Sequence, residues 1–404
     1  MGRSEGKPHP LTVLITFSLL APAKRVGTAD IVGFGVDGVV IVWNRYPSSA
    51  VEVTKDFSDS TNWRNEHPRF LADVTGTGTK DIVGFGAKGL NVAVNNGNNT
   101  FRKRRLVLSD YGTNSGWEVD KHLRFMVDVR GTGRADILGF GPAGVVLSRN
   151  EGDLKFSEPS LVLKAFGYSQ GWHLDTHHRF LGDTTGNGLP DIVGFGVKGV
   201  YVAKNNGDGT FQNSVLVTED FGTNDGYKID KHLRTIADLT GDGKVDLVGF
   251  GNTGVWVGFN NGDGTFQARQ RVLESFGHER GNWRVETHPR FIADITGDGK
   301  GDIVGFGKKG VWVATNKGDG TFNEKKLVIK DYGYEAGNWD VGRHVRVPVD
   351  MTGDGRADIV GIKLNNIWIS YNQGNGEFSP RTKLISTSGL GWTQDTIRIV
   401  TNIS

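Results

Sequence analysis

The chain has no cysteine among its 404 residues. That absence excludes disulfides, thiolate metal sites and a cysteine nucleophile, and leaves the redox compartment open. A charge surplus is also missing: 47 Lys and Arg stand against 45 Asp and Glu, for a net charge of +2. There is thus no electrostatic ground for expecting nucleic acid or an anionic membrane as a partner. No run approaches the roughly 18 apolar residues of a membrane-spanning helix. Helical periodicity is absent throughout, and the 37 % apolar fraction suits a core divided among many small sheets.

Glycine, by contrast, is abundant: sixty residues, about twice the usual roughly 7 %. The motif Asp-Ile-Val-Gly-Phe-Gly, or a close variant, occurs seven times, beginning at Asp30, Asp81, Asp136, Asp191, Asp246, Asp302 and Asp358. The steps are 51, 55, 55, 55, 56 and 56 residues. A period of that size means an array of one supersecondary unit, so a long chain forms a single domain and carries its function in several copies.

One unit reads as four short strands. Leu233 to Leu239 is the first, the glycine turn Thr240-Gly241-Asp242-Gly243 leads into Asp246 to Gly251, and Asn252-Thr253-Gly254 turns into Val255 to Phe259. Asn261-Gly262-Asp263-Gly264 has hairpin chemistry, and Gln270 to Leu273 is the last strand. Apolar residues on both faces require each sheet to be covered twice. Seven such sheets around an axis cover one another, which predicts an all-β, seven-bladed β-propeller of four-stranded antiparallel blades. The glycines inside the second strand are expected where neighbouring blades press together.

The ends argue for a closed ring. The segment Trp392 to Ile403 matches only the start of a unit, and that start is missing before Asp30. The C-terminal strand is therefore expected to complete the first blade, with Leu11 to Phe17 joining the closure. Arg3, Lys7, the apolar run Leu11 to Leu20 and Ala21-Pro22-Ala23 could also read as a signal peptide. The β-branched content favours a strand, so signal-peptide secretion is not expected. Residues 1–8 read as a disordered leader or cloning remnant, and residues 9–404 as one propeller domain.

Two constellations could carry chemistry. The first is aromatic, His, Arg: Trp63/His67/Arg69, Trp117/His122/Arg124, Trp172/His177/Arg179, Tyr227/His232/Arg234, Trp283/His288/Arg290 and Trp339/His344/Arg346. His and Arg are two apart, so on a strand both leave by one face. Glu66, Asp120, Asp175, Asp230 and Glu286 follow the aromatic by three residues, and Gly342 stands there in the sixth set. An indole face, Arg, His and a carboxylate suit a small polar ligand such as a pyranose with an acetamide. The bland alternative is that the aromatic fills a gap between blades while Arg and His bind backbone carbonyls and the acid. In the seventh copy Trp392 and Asp395 remain but Ile397 stands in place of His, which leaves six sites. Trp256, Trp312, Trp368 and Tyr201 read as inter-blade packing. His9, His173, His178 and His278 lie outside the pattern and are expected to be solvated.

The second constellation is Asp-x-Thr-Gly-Asp-Gly-x-x-Asp. Its carboxylates and threonine oxygen could converge on a calcium ion in three complete units: Asp238, Thr240, Asp242 and Asp246; Asp294, Thr296, Asp298 and Asp302; Asp350, Thr352, Asp354 and Asp358. Asn187 weakens the copy at Asp183 and Asp191, and Thr77 and Thr132 spoil those beginning at Asp73 and Asp128. A metal-free turn closed by Asx hydrogen bonds is the alternative.

The unit as a whole resembles the Psathyrella velutina lectin family of fungal, integrin-like propeller lectins, which includes the Agrocybe lectin for terminal N-acetylglucosamine. The likeness rests on Gly-Trp, His-x-Arg-Phe, Ala-Asp-x-Thr-Gly-Asp-Gly, Asp-Ile-Val-Gly-Phe-Gly, Gly-Val-x-Val and Asn-x-Gly-Asp-Gly-Thr-Phe, and it covers about residues 11–404. The second half of that pattern is common to integrin-type repeats; the Trp and His-x-Arg half is the specific part. The resemblance implies a multivalent lectin for non-reducing terminal N-acetylglucosamine on glycoproteins or cell surfaces; the residues alone fit sialic acid as well, whose acetamide is similar and whose carboxylate would suit Arg. The resemblance also implies sugar pockets between blades and structural calcium in some blade loops. An adhesion propeller that recognises protein and a propeller glycoside hydrolase are the alternatives. Six repeats of one site and the lack of a nucleophile elbow weigh against an enzyme.

Overall fold

The computed structural model describes residues 28–44, 48–374 and 376–403. The expected strand Leu11 to Phe17, the leader and His9 lie outside these residues. Seven four-stranded antiparallel sheets follow one another along the chain. Blade V is Leu233–Ala237, Asp246–Phe250, Val255–Gly258 and Gln270–Leu273, from the inner strand outward. Blades II, III, IV, VI and VII span 69–108, 123–163, 178–218, 290–329 and 345–386 in the same order.

Blade I is built from both ends of the described chain. Its inner strand is Ile397–Thr401, which pairs antiparallel with Asp30–Phe34. The sheet continues through Val39–Trp43 to Ser49–Thr54. The C-terminal closure expected from the unit count is thus present.

Each second strand is buried from end to end. Its motif Asp pins the blade from within. Asp302 Oδ2 accepts from the amides of Ile295 and Thr296, and Oδ1 from that of Asn316. Asn316 then donates from its side chain to Leu239 O in blade V at 2.8 Å. Backbone bonds stitch blade to blade as well: Lys80 to Ile403, Ala135 to Asp73, Val245 to Asp183, Gly301 to Asp238, Ala357 to Asp294 and Ala29 to Asp350. Between blades III and IV the donor position is Pro190, which has no N–H. There Asn205 Nδ2 to Val129 O, at 2.9 Å, still bridges the pair.

Candidate functional site

Register explains where the aromatic side chains go. Arg290 on the inner strand lies opposite Gly305 on the second, and Gly305 lies opposite Trp312 on the third. The glycine leaves a gap in that row, and the loop entering the blade fills it. A Cβ on Gly305 would stand 2.5 Å from Trp283 Cη2 and 2.6 Å from Phe276 Cε1. Gly84 meets Trp63, Gly139 meets Trp117, Gly194 meets Trp172, Gly249 meets Tyr227 and Gly361 meets Trp339 in the same way. The motif glycine therefore makes room for the blade's own entering loop. That loop lies between neighbouring blades, as the sequence suggested for the glycine: Trp283 and Phe276 share one hydrophobic cluster with Val248, Phe250 and Val255 of blade V.

This packing corrects the reading of the aromatic as a stacking platform. Trp63, Trp117, Tyr227, Trp283 and Trp339 are buried, Trp339 completely, and only Trp172 is half-exposed. The aromatics Trp256, Trp312, Trp368 and Tyr201 of the third strands are half-buried and pack against the clusters between blades, as expected. Arg381 stacks over Trp368 at 4.3 Å and Arg269 over Trp256 at 5.0 Å.

The arginines are buried too, and they join blades. Each donates from Nη1 to a carbonyl in its own entering loop: Arg69 to Phe57, Arg124 to Tyr111, Arg179 to Phe166, Arg234 to Phe221, Arg290 to Phe276 and Arg346 to Tyr332, at 2.9–3.1 Å. Each guanidinium also lies over the motif Phe of the preceding blade, as Arg290 over Phe250 at 5.3 Å and Arg346 over Phe306 at 5.7 Å. Arg234 further reaches Thr176 O, beside His177 of blade IV. Nε and Nη2 of Arg124, Arg179, Arg290 and Arg346 are buried without a hydrogen-bond partner among the described residues. Burial alone pulls Arg124 down to about 10, and burial is the first cause for Arg290, pulled to about 9. Both stay cationic at neutral pH.

The acceptor residues Phe57, Tyr111, Phe166, Phe221, Phe276 and Tyr332 were not singled out from sequence. All six have left-handed backbone, with φ of 59–62°, a conformation uncommon for bulky residues. Their signal was legible: an aromatic, followed by Gly in five copies and Ser in the first, six or seven residues before the Trp or Tyr.

Histidine stands just ahead of the inner strand, at the end of the same loop. Its Nδ1 accepts a backbone amide three or four residues back: Arg64 to His67, Glu118 to His122, His173 to His177, Lys228 to His232, Arg284 to His288 and Asp340 to His344, at 3.0–3.2 Å. A ring whose Nδ1 accepts carries its proton on Nε2, which makes it a donor. The adjacent aromatic holds it at 5.3–5.6 Å between centroids. Burial and then the neighbouring cation keep His177 and His288 down at about 4, with Arg179 and Arg290 as those cations. His344 is likewise held at about 4 by burial and Lys363. All three are neutral at pH 7. The acids Glu66, Asp120, Asp175, Asp230 and Glu286 are exposed on these loops. They do not pair with the buried Arg.

Two readings change in detail. In blade I the residue in the histidine position is Thr396, not Ile397. Thr393 N donates to Thr396 Oγ1 at 2.8 Å as Arg64 N does to His67, and Arg398 lies opposite Gly33. The seventh set is Trp392/Thr396/Arg398, shorter by one residue, like the first. His178 is not solvated: it stacks on Phe180, its Nε2 is buried without a hydrogen-bond partner among the described residues, and burial holds it at about 3. His173 and His278 are half-buried.

The carboxylate loops do not form the ligand set expected. Asp294 spends both oxygens on the amides of Gly297 and Gly299, Asp298 accepts from Lys300 N, and Asp302 turns inward. Asp238 and Asp350 repeat this turn. Among the described residues no three His, Asp or Glu side chains gather as a metal site. Burial first, then like charge from Asp238 and Asp242, raises Asp246 to about 7. Blade III supplies its own cation instead: Arg130 grips Asp136 at 2.8 and 3.2 Å.

No protein-family model and no curated protein matches the chain. Among solved structures, one described as the basis of specific recognition of non-reducing terminal N-acetylglucosamine by an Agrocybe aegerita lectin is 50 % identical. It covers 93 % of this chain and 96 % of its own, with a TM-score of 0.91. A part of the Photorhabdus luminescens Tc holotoxin pore, 16 % of that chain against 86 % of this one, is 18 % identical with a TM-score of 0.50, a likeness of fold alone. Half of all residues shared along nearly the whole ring, with the same seven-bladed fold, places this chain in the family of the Agrocybe aegerita lectin.

Proposed function

We propose that this protein is a multivalent, non-enzymatic lectin for non-reducing terminal N-acetylglucosamine, with six pockets between successive blades. The observation that carries this is the 50 % identity over 93 % of the chain to a lectin with that specificity. The geometry supplies a mechanism. The neutral His rings carry an Nε2 proton for a hydroxyl or amide carbonyl, with that of His177 buried and that of His232 already on Asn252, and exposed carboxylates on the same loops accept sugar hydroxyls. Arg and Trp act from behind, fixing the loop that presents the His. A ring held neutral and bonded at Nδ1 to a backbone amide is poorly placed to shuttle protons. Six repeats of it favour binding over catalysis.

A carboxylate-bearing sugar such as sialic acid is a second reading, favoured at two pockets. Lys308 lies near enough to His288, and Lys363 to His344, to depress those rings. We also propose calcium at the three complete carboxylate loops, on the like-charge crowding at Asp246 and on the cation that Arg130 supplies in blade III. As the loops stand the residues do not enclose an ion, so binding would require Asp238, Asp294 and Asp350 to release turn amides.

One pocket on one monosaccharide is expected to bind at millimolar to micromolar order. Several pockets on one rim can raise surface avidity by roughly 10² to 10⁴. A glycan array tests the assignment: binding to terminal N-acetylglucosamine glycans is expected, and binding confined to fucose or galactose termini overturns it. Replacing His288 with Ala should remove one pocket from the free-sugar count and lower agglutination only in part.

A further inference from the structure

The six histidines are not equivalent, and the difference lies in the turn between the second and third strands. In blades II to VII the residue after the six-residue motif sits in this turn: Ala87, Pro142, Val197, Asn252, Lys308 and Leu364. Its backbone carbonyl accepts from the loop that leaves toward the next blade, as Ala87 O from Asn114 N and Asn252 O from Glu279 N. The turn residue is therefore held beside the blade's own His. Only in blade V does its side chain reach the ring. Asn252 Oδ1 lies 2.7 Å from His232 Nε2, while His232 Nδ1 is taken by Lys228 N. With Nδ1 accepting, Nε2 must donate, so both ring nitrogens are used within the chain. His278 from the next loop adds a ring at 6.1 Å, edge-on to His232. This is also the blade in which Tyr227 replaces Trp.

We infer that Asn252 is a specificity-determining residue that caps the blade V pocket, taking the Nε2 proton that a sugar oxygen takes from the other histidines. The inference rests on the lectin reading. A ligand at His232 must displace a hydrogen bond already made, whereas none of the other five rings donates Nε2 to a side chain among the described residues. The blade V pocket is thereby the weakest of the six, by about tenfold for the loss of one net hydrogen bond. Asn252 is exposed, and its structural bonds to the next loop are made by its backbone. Asn252→Ala therefore preserves them and reproduces the residue found in blade II.

Crystals of the whole protein soaked with graded N-acetylglucosamine test this, read as occupancy pocket by pocket. In the wild type, pockets in the other blades should fill first and blade V last. Asn252→Ala should bring blade V into line with them, and Asn252→Asp, which keeps the acceptor, should leave it capped. Thermal unfolding of both variants controls for folding. Equal filling of blade V in the wild type overturns the cap and leaves the lectin standing. Sugar in none of the six positions overturns the lectin reading and the cap together.

Discussion

A single missing Cβ organises each site. In a free-standing sheet the glycine of Asp-Ile-Val-Gly-Phe-Gly would only weaken the strand. Here it admits an indole or phenol, which seats the loop, which in turn aims the His. Gly305→Ala should destabilise the protein by about 1–3 kcal/mol through overpacking, because the added carbon would press on Trp283 and Phe276. Chemical denaturation checks this, and an unchanged midpoint would contradict it. The histidines carry a pH prediction. His177, His288 and His344 are held at about 4 against 6.5 in an unfolded chain. A folded value below the unfolded one means stability present above pH 6.5 and lost as pH falls toward 4. Sugar binding should follow: flat from pH 8 to about 5, then falling near pH 4 as Nδ1 protonates and drops its backbone amide. A midpoint near 6.5 in a titration of affinity would show that the rings are not buried as described.

At the scale of elements, the entering loop and the carboxylate turn behave differently. The loop is rigid by construction, since an aromatic in left-handed backbone, an Arg bond to its carbonyl and an amide-to-His bond constrain ten or so residues. The turn is closed by Asp298-type and Asp294-type Asx bonds and leaves Asp246, Asp302 and Asp358 raised to about 7, 6 and 6. A carboxyl raised above its unfolded value costs stability progressively as pH climbs from about 4 through that value. Calcium bound there would remove this slope. The expected result is a rise in melting temperature at pH 7 on adding calcium, reversed by chelator, with Asp298→Ala losing one ion and keeping sugar binding. Metal analysis that finds no calcium after refolding in its presence would leave these as plain turns.

For the whole molecule, the ring is only as sound as its last joint. Blade I has no inner strand until Ile397–Thr401 arrives, bringing Arg398 and Trp392 with it. Deleting residues 393–404 should therefore expose the edge at Asp30–Phe34 and one face of blades VII and II together. A loss of cooperative unfolding, or aggregation through the open edge, is the expected outcome. Unchanged thermal unfolding of the truncated chain would contradict closure. The same joint carries Thr396 where the other interfaces carry His, which is why six pockets are proposed for seven blades.

Much of this was written in the order of residues. The period counted seven blades, the half-unit at Trp392 predicted which blade the C-terminus completes, and the His-x-Arg spacing marked six equivalent loops, because strand length, turn chemistry and repeat number are local properties. What the sequence could not decide is which side of each residue faces whom. Trp in front of His looked like an exposed platform until the register placed a glycine under it, and Arg looked like a ligand donor until it lay between a carbonyl and the preceding blade's Phe. Asp302 read only as a calcium ligand until three backbone amides gave it a second role in pinning the blade. The cap of Asn252 on His232 joins residues 20 apart through a turn, a distance no pattern reports. Periodicity specifies the unit; burial, which depends on how units stack around an axis, assigns each side chain to core or to site.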